Sequence, residues 1–305
     1  VMIAFVFPGQ GSQYAGMGKE LAENFPVARE VFSEANDALG IDLARLCFEG
    51  PEADLKLTTN TQPAILATSI AALRVLQQET GLVADFAAGH SLGEYSALVC
   101  SGALRFDAAV RTVRQRGSFM QQAVPVGVGA MAAILGLDGS ELDAICREAA
   151  QGEIVSAANF NSPGQVVIAG HTGAVERAME LAKARGAKRA LPLPVSAPFH
   201  CALMEPAGKR LREVLTGIEV GALTVPVVTN VEAQPNQEPS RVRELLVAQV
   251  SAPVRWDESV QTMNQLGVDR FIEIGPGKVL AGLVKRIVKG VAAQNIEDCA
   301  SLKAL

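Results

Sequence analysis

The chain has 305 residues, 49% of them hydrophobic and 19% charged, which supports one large core or a large core carrying a smaller one and excludes global disorder. The net charge of −5 argues against general nucleic-acid binding, which shows as basic excess, while leaving room for a local basic patch. Cys47, Cys100, Cys146, Cys201 and Cys299 are odd in number and form no CxxC pair, so reduced thiols in a cytoplasmic protein are expected rather than a disulfide framework or a structural zinc site. No basic n-region precedes the first apolar run, and no run is long enough to span a bilayer, so neither a signal peptide nor membrane association is expected.

A first strand is predicted over residues 3–7, ending at Pro8-Gly9-Gln10-Gly11. Helical patterning follows over 17–25 and 28–39. A longer helix is predicted over 62–78, with Pro63 in its first turn, where proline is tolerated, and Gly81 as its stop. Residues 83–88 read as a short buried strand leading into Gly89-His90-Ser91-Leu92-Gly93, and 94–100 as the helix after it. Strand, glycine turn and helix in that order point to an α/β core with a parallel sheet. A further helix is predicted over 106–123.

A second unit interrupts the first. Strands over 130–135, 154–158, 166–169 and 189–193 alternate with helices over 140–149 and 174–185, in the order βαββαβ, the ferredoxin-like pattern. Gly127 and Gly129 at one end, and Pro192, Pro194 and Pro198 at the other, punctuate its boundaries. Strands over 225–229 and 270–274 and a helix over 279–288 then resume the core. The expected fold is α/β: a hydrolase-like parallel-sheet core from residues 1–126 and 197–305, with a ferredoxin-like subdomain at 127–196 inserted in it.

Gly89-His90-Ser91-Leu92-Gly93 matches G-x-S-x-G. A sharp strand-to-helix turn lifts a serine hydroxyl out of the sheet, and side chains at the flanking positions would clash. The helix start then presents backbone N–H groups, beginning at Leu92, to an oxyanion. Ser91 is therefore the candidate nucleophile, and it needs a base. Of three histidines, His90 adjoins Ser91 and reads as a hydrogen-bonded packing residue, and His171 falls in a polar turn and reads as a solvated surface residue. His200, in the loop Ser196-Ala197-Pro198-Phe199-His200-Cys201, is the candidate base by elimination. No Asp or Glu is placed as its orienting partner.

On the predicted helix over 106–123, placing residues at about 100° steps puts Arg116 on the apolar face with Phe106, Ala109, Val110, Val113, Gly117 and Met120. A guanidinium there needs an anionic or strongly polar partner. Two readings stand: a structural ion pair with an internal acid, or a clamp for a substrate carboxylate, which suits the planar fork of arginine. Gly9-Gln10-Gly11-Ser12-Gln13 fails the dinucleotide fingerprint, because Tyr14 stands where glycine is required. Gly275-Pro276-Gly277-Lys278 fails the Walker pattern at Ile272 and Val279. The loop after the first strand can instead donate a second N–H to an oxyanion. No metal-ligand spacing stands out, so no metal and no cofactor is expected.

Seven segments occur in one order: Phe7-Pro8-Gly9-Gln10-Gly11-Ser12-Gln13, Gly89-His90-Ser91-Leu92-Gly93-Glu94, Arg114-Gln115-Arg116-Gly117, Asn159-Phe160-Asn161-Ser162-Pro163, Pro198-Phe199-His200-Cys201, Pro253-Val254-Arg255-Trp256 and Glu273-Ile274-Gly275-Pro276-Gly277. Together they resemble the malonyl-CoA:acyl carrier protein transacylases, the stand-alone enzymes of bacterial fatty-acid synthesis. The resemblance runs over essentially the whole chain. It implies a ping-pong reaction in which Ser91, with His200 as base, takes malonyl from coenzyme A and passes it to the phosphopantetheine thiol of acyl carrier protein. Backbone N–H groups of Gln10 and Leu92 would hold the oxyanion, Arg116 would pair with the malonyl carboxylate, and the backbone carbonyl of Gln249 would orient His200. Phe199 corresponds to the bulky residue of malonyl-selective members, where methylmalonyl-type relatives carry serine.

The implied partners are malonyl-CoA and the acidic acyl carrier protein, for which Lys183, Arg185, Lys188 and Arg189, or Lys285, Arg286 and Lys289, offer basic clusters. The same clusters read somewhat more readily as solvated helix faces, which such charge runs commonly are. With no heptad seam or exposed apolar helix, a monomer is expected. The competing readings are a serine hydrolase, whose histidine usually comes late in the chain, and a catalytically silent binding domain, which would have lost Ser91 or His200.

Overall fold

The computed structural model describes residues 1–305. Strands β1 (Met2–Phe7), β2 (Phe86–Gly89), β7 (Val227–Val228), β8 (Pro235–Asn236), β9 (Val268–Ile274) and β10 (Ala292–Ile296) form one six-stranded sheet in the order β10-β9-β1-β2-β7-β8. All neighbours are parallel except β7 and β8. Strand β1 shows why the sheet is central. Phe5 and Phe7 face one hydrophobic cluster, and Ala4 and Val6 face another. A strand buried on both faces must be apolar throughout, which is the continuous run that residues 3–7 display.

Between β2 and β7 the chain builds a second sheet, from β3 (Gly129–Leu135), β4 (Val155–Ser162), β5 (Gln165–His171) and β6 (Arg189–Pro192). Its order is β4-β5-β3-β6 and every pairing is antiparallel. Helices Gly139–Ala150 and Thr172–Ala184 cover it, with their own core of Ile134, Leu142, Ile145, Ile168 and Val175. The molecule is thus a mixed α/β protein with a parallel-sheet core and an added antiparallel sheet. The two sheets are tied where β4 meets the returning chain: Val254 N–H donates to Ala158 C=O at 2.8 Å and Phe160 N–H donates to Val254 C=O at 2.9 Å.

The long helix spans Thr58–Thr80 and ends on Gly81 in the left-handed conformation (φ 66°), as the glycine stop requires. It starts four residues before the predicted point, so Pro63 lies inside the helix rather than in its first turn. The polar start is held by side chains: Asn60 Nδ2 donates to Asp54 C=O at 3.1 Å, and Thr61 Oγ1 to Leu57 C=O at 3.0 Å. Helices Glu205–Thr216, Pro239–Val250 and Trp256–Gln265 complete the core after His200. No helix is long and apolar enough to cross a membrane, and all five cysteines are free thiols.

Candidate active site

The site forms where β2 ends. Phe7 of β1 is in register with Gly89, so the loop after β1 and the turn after β2 leave the sheet side by side. The turn admits only glycine at its ends. A Cβ on Gly89 would lie 1.8 Å from the Gly93 carbonyl carbon, and one on Gly93 would lie 2.1 Å from the Phe7 carbonyl oxygen. Between them Ser91 adopts φ 52°, a left-handed conformation that non-glycine residues rarely hold. Ser91 immediately precedes Leu92 and the helix Gly93–Cys100.

The loop carrying His200, also left-handed at φ 58°, brings Nε2 to 2.7 Å from Ser91 Oγ. Nδ1 lies 2.9 Å from the backbone carbonyl of Gln249, a group that only accepts, so Nδ1 carries the proton and Nε2 presents its lone pair to the serine hydroxyl. Burial, and after it the charge of Arg116, hold the His200 pKa down to about 3, against the opposing pull of the Gln249 carbonyl. The imidazole is therefore neutral and ready to accept a proton. No carboxylate hydrogen-bonds to it.

Arg116 is 1% exposed. Its helix, Phe106–Gln122, lies close enough to the start of Thr58–Thr80 that a Cβ on Gly117 would fall 2.5 Å from Thr58 C=O. That close approach sets Arg116 beside Gln62. Nη1 donates to Gln62 Oε1 at 2.8 Å, and Nη2 to Gln249 Oε1 at 2.9 Å and Ser91 Oγ at 3.2 Å. The guanidinium also sits 5.4 Å from the Tyr95 ring centroid. No salt bridge reaches it, and Nε has no partner at all. Of the two readings from the helical face, the internal ion pair is absent. A buried cation beside Ser91 is left with hydrogen bonds to amide and hydroxyl oxygens only, the buried Glu94 acting on it through charge without a contact.

The backbone N–H groups of Gln10 and Leu92 bond to nothing within the protein. The Gln10 side chain is anchored by Thr58 Oγ1 at 3.2 Å. A cavity of about 120 Å³ joins these groups, lined by Gln10, Gln62, Ser91, Leu92, Arg116, Met120, Met131, Phe199 and His200. A second, of about 270 Å³, shares Gln10, His90, Asn159 and Leu193 with it and runs out past Ser12, Asn161 and Leu283.

His90 points away from Ser91, with Nε2 2.7 Å from Asn161 Oδ1 and its ring against Trp256. His171 differs from its reading as a solvated turn residue: it ends β5, and Nδ1 accepts the Ile154 N–H at 2.9 Å. Sequence reasoning missed Gln62, Asn230, Glu94 and the side-chain role of Gln249, all buried. Gln62 and Glu94 could have been noticed as polar residues beside apolar stretches that burial would otherwise exclude. Asn230 carried no signal.

A serine–histidine pair on a strand–turn–helix elbow, in an α/β core, defines the acyl-transfer class. The comparison with known proteins narrows this: the chain belongs to the acyl transferase domain family, whose model matches residues 4–305. It is 54% identical over 301 residues to the malonyl CoA-acyl carrier protein transacylases of Salmonella typhimurium and Escherichia coli K12, covering 99% of this chain and 97% of each relative. The transacylase of Bacillus subtilis is 52% identical over 297 residues, covering 97% and 93%. The crystal structure of an acyl carrier protein S-malonyltransferase from Vibrio cholerae superposes with TM-score 0.97 at 52% identity, covering 100% of this chain and 99% of the other. A malonyl-transacylase in complex with a type II polyketide synthase acyl-carrier protein gives TM-score 0.97 at 54% identity, covering 100% and 98%.

Proposed function

We propose that the protein transfers malonyl from malonyl-CoA to the phosphopantetheine thiol of acyl carrier protein, for fatty-acid biosynthesis, through a malonyl ester on Ser91. The observation that carries this reading is Arg116: a buried guanidinium without a carboxylate partner, 3.2 Å from Ser91 Oγ, which a three-carbon diacid thioester would complete. In the first half-reaction His200 Nε2 takes the Ser91 proton as Oγ attacks the thioester carbonyl. The N–H groups of Gln10 and Leu92 receive the oxyanion. The tetrahedral intermediate expels CoA, whose sulfur takes the proton from His200. In the second, His200 deprotonates the carrier thiol, which attacks the ester and returns Ser91 to the hydroxyl form. The Gln249 carbonyl stabilises the imidazolium in each half, in place of an acid.

Coenzyme A is here a substrate carrier, and no resident cofactor enters the scheme. Phe199 lines the cavity, which supports the reading that its ring would take up the space a 2-methyl group needs. Within the first basic cluster Lys183 and Arg185 are matched by Glu180 and Glu148, while Lys188 and Arg189 are exposed without an acidic partner, as are Lys285, Arg286 and Lys289 in the second. Helix Val279–Ile287, which bears Lys285 and Arg286, also lines the outer cavity. We therefore favour that face for an acidic carrier. We read residues 1–126 and 197–305 as a hydrolase-like core and 127–196 as a ferredoxin-like subdomain, supported by the β4-β5-β3-β6 order and separate core of the insert. The kinetic test varies malonyl-CoA at several carrier concentrations: parallel double-reciprocal lines are expected, and intersecting lines would refute the acyl-enzyme route.

A further inference from the structure

Two buried side chains that take no part in the chemical steps, those of Asn230 and Gln249, hold the Ser91 backbone. Asn230, fully buried after β7, spans the turn: Oδ1 accepts the Ser91 N–H at 2.8 Å and Nδ2 donates to Gly89 C=O at 2.7 Å. Its own N–H donates at 2.7 Å to Oε1 of Glu94, buried in the first turn of the helix after Ser91. Gln249 Nε2 adds a bond to Asn230 Oδ1 at 3.0 Å and one to Ser91 C=O at 3.0 Å. Strand end and turn are thus bridged by the Asn230 side chain, and the helix start joins them through the Glu94 side chain on the Asn230 N–H.

The bridge does two things that Ser91 needs. It fixes a strained peptide, whose left-handed φ has no other side-chain restraint on its N–H. It also occupies that N–H, leaving the neighbouring Leu92 N–H unpaired. An amide suits the task because it offers an acceptor and a donor on one planar group. Aspartate at this position would set an oxygen against the Gly89 carbonyl.

We propose that Asn230 is a positioning residue for acyl transfer, holding the Ser91 peptide in its left-handed turn with Oγ toward His200, and that Glu94 anchors Asn230 there. This rests on Ser91 being the nucleophile. The test uses the full chain and the variants Asn230→Ala, Asn230→Asp, Glu94→Ala and Glu94→Gln. Two rates are measured per titrated active site: phosphonylation of Ser91 by a fluorophosphonate, and single-turnover malonylation from malonyl-CoA. Both Asn230 variants should slow both reactions roughly 10- to 100-fold, with KM for malonyl-CoA changed by less than about threefold. Glu94→Ala should slow them in the same sense. Glu94→Gln should recover most of that loss, because its amide oxygen still accepts the Asn230 N–H.

A lower melting temperature or a smaller titratable fraction, with native rates per titrated site, would reduce Asn230 to a structural residue and overturn the proposal. If Asn230→Ala does not fold, the Glu94 pair decides: a glutamine variant no faster than the alanine variant overturns it. A native protein that reacts with the fluorophosphonate but not with malonyl-CoA would sink the substrate assignment, while the fluorophosphonate rates would still judge the positioning role.

Discussion

Replacing Arg116 with alanine separates acyl groups by charge. The guanidinium is 1% exposed and bonds only to Gln62, Gln249 and Ser91, so a malonyl carboxylate beside it would have no water and no other cation to replace it. Removing one partner of a buried ion pair costs about 3 kcal/mol or more, which at the transition state is roughly 150-fold in kcat/KM. Acetyl carries no carboxylate and escapes that loss. The variant also strips Gln62 Oε1 and Gln249 Oε1 of a donor, costing about 1 kcal/mol or more for each, but this falls on both substrates. The ratio is therefore diagnostic: the preference for malonyl-CoA over acetyl-CoA should fall roughly 100-fold. Arg116→Lys should lie between, keeping the charge and losing the fork. The assay is kcat/KM for each thioester with carrier protein as acceptor. Equal losses on the two substrates would refute the clamp.

Three further outcomes follow from the same geometry. In the proposed reaction neutral His200 is the base, so activity should fall as pH drops through its pKa. With that pKa held at about 3 rather than 6.5, the His200 imidazole should stay neutral down to about pH 5. An NMR titration of its ring protons with a midpoint near 6.5 would refute the buried, Arg116-facing imidazole. An activity limb near 7 would instead belong to Glu94, whose carboxyl is pushed up to about 7 by burial. Gly93→Ala meets the Phe7 carbonyl and should cost about 3 kcal/mol or more in urea unfolding, whereas Gly282→Ala, on an open helix position, should stabilise by about 0.5 to 1 kcal/mol. Phe199→Ser should raise the methylmalonyl-CoA rate relative to malonyl-CoA; an unchanged ratio would remove the steric argument.

What could be read from the sequence follows from range. The β1 and β2 runs and the Gly89–Gly93 turn are local signals, set by burial on both sheet faces and by glycine sterics, and they lie within a few residues of where they were expected. Arg116 was legible because a helical period exposes a charge on an apolar face. The helix start at Thr58 was not, since Thr58-Thr59-Asn60-Thr61 has no apolar period and is held by side-chain bonds to Asp54 and Leu57. Helix Trp256–Gln265 did carry a readable spacing in Trp256, Val260 and Met263, all buried. The Asn230–Ser91 bond joins residues 139 apart, and only the folded chain makes it. The answer to what Arg116 pairs with was equally non-local, for it depends on Gln62 and Gln249 arriving from two other helices.

The central claim is tested most directly by the mass of the acyl-enzyme. The protein is offered an equimolar mixture of malonyl-, methylmalonyl- and acetyl-CoA, and the adduct is weighed intact and located by peptide mapping. The account predicts one dominant increment, that of malonyl, on Ser91, absent from Ser91→Ala and discharged faster by the carrier thiol than by water. A dominant acetyl adduct, an adduct on another residue, or faster discharge to water would contradict it.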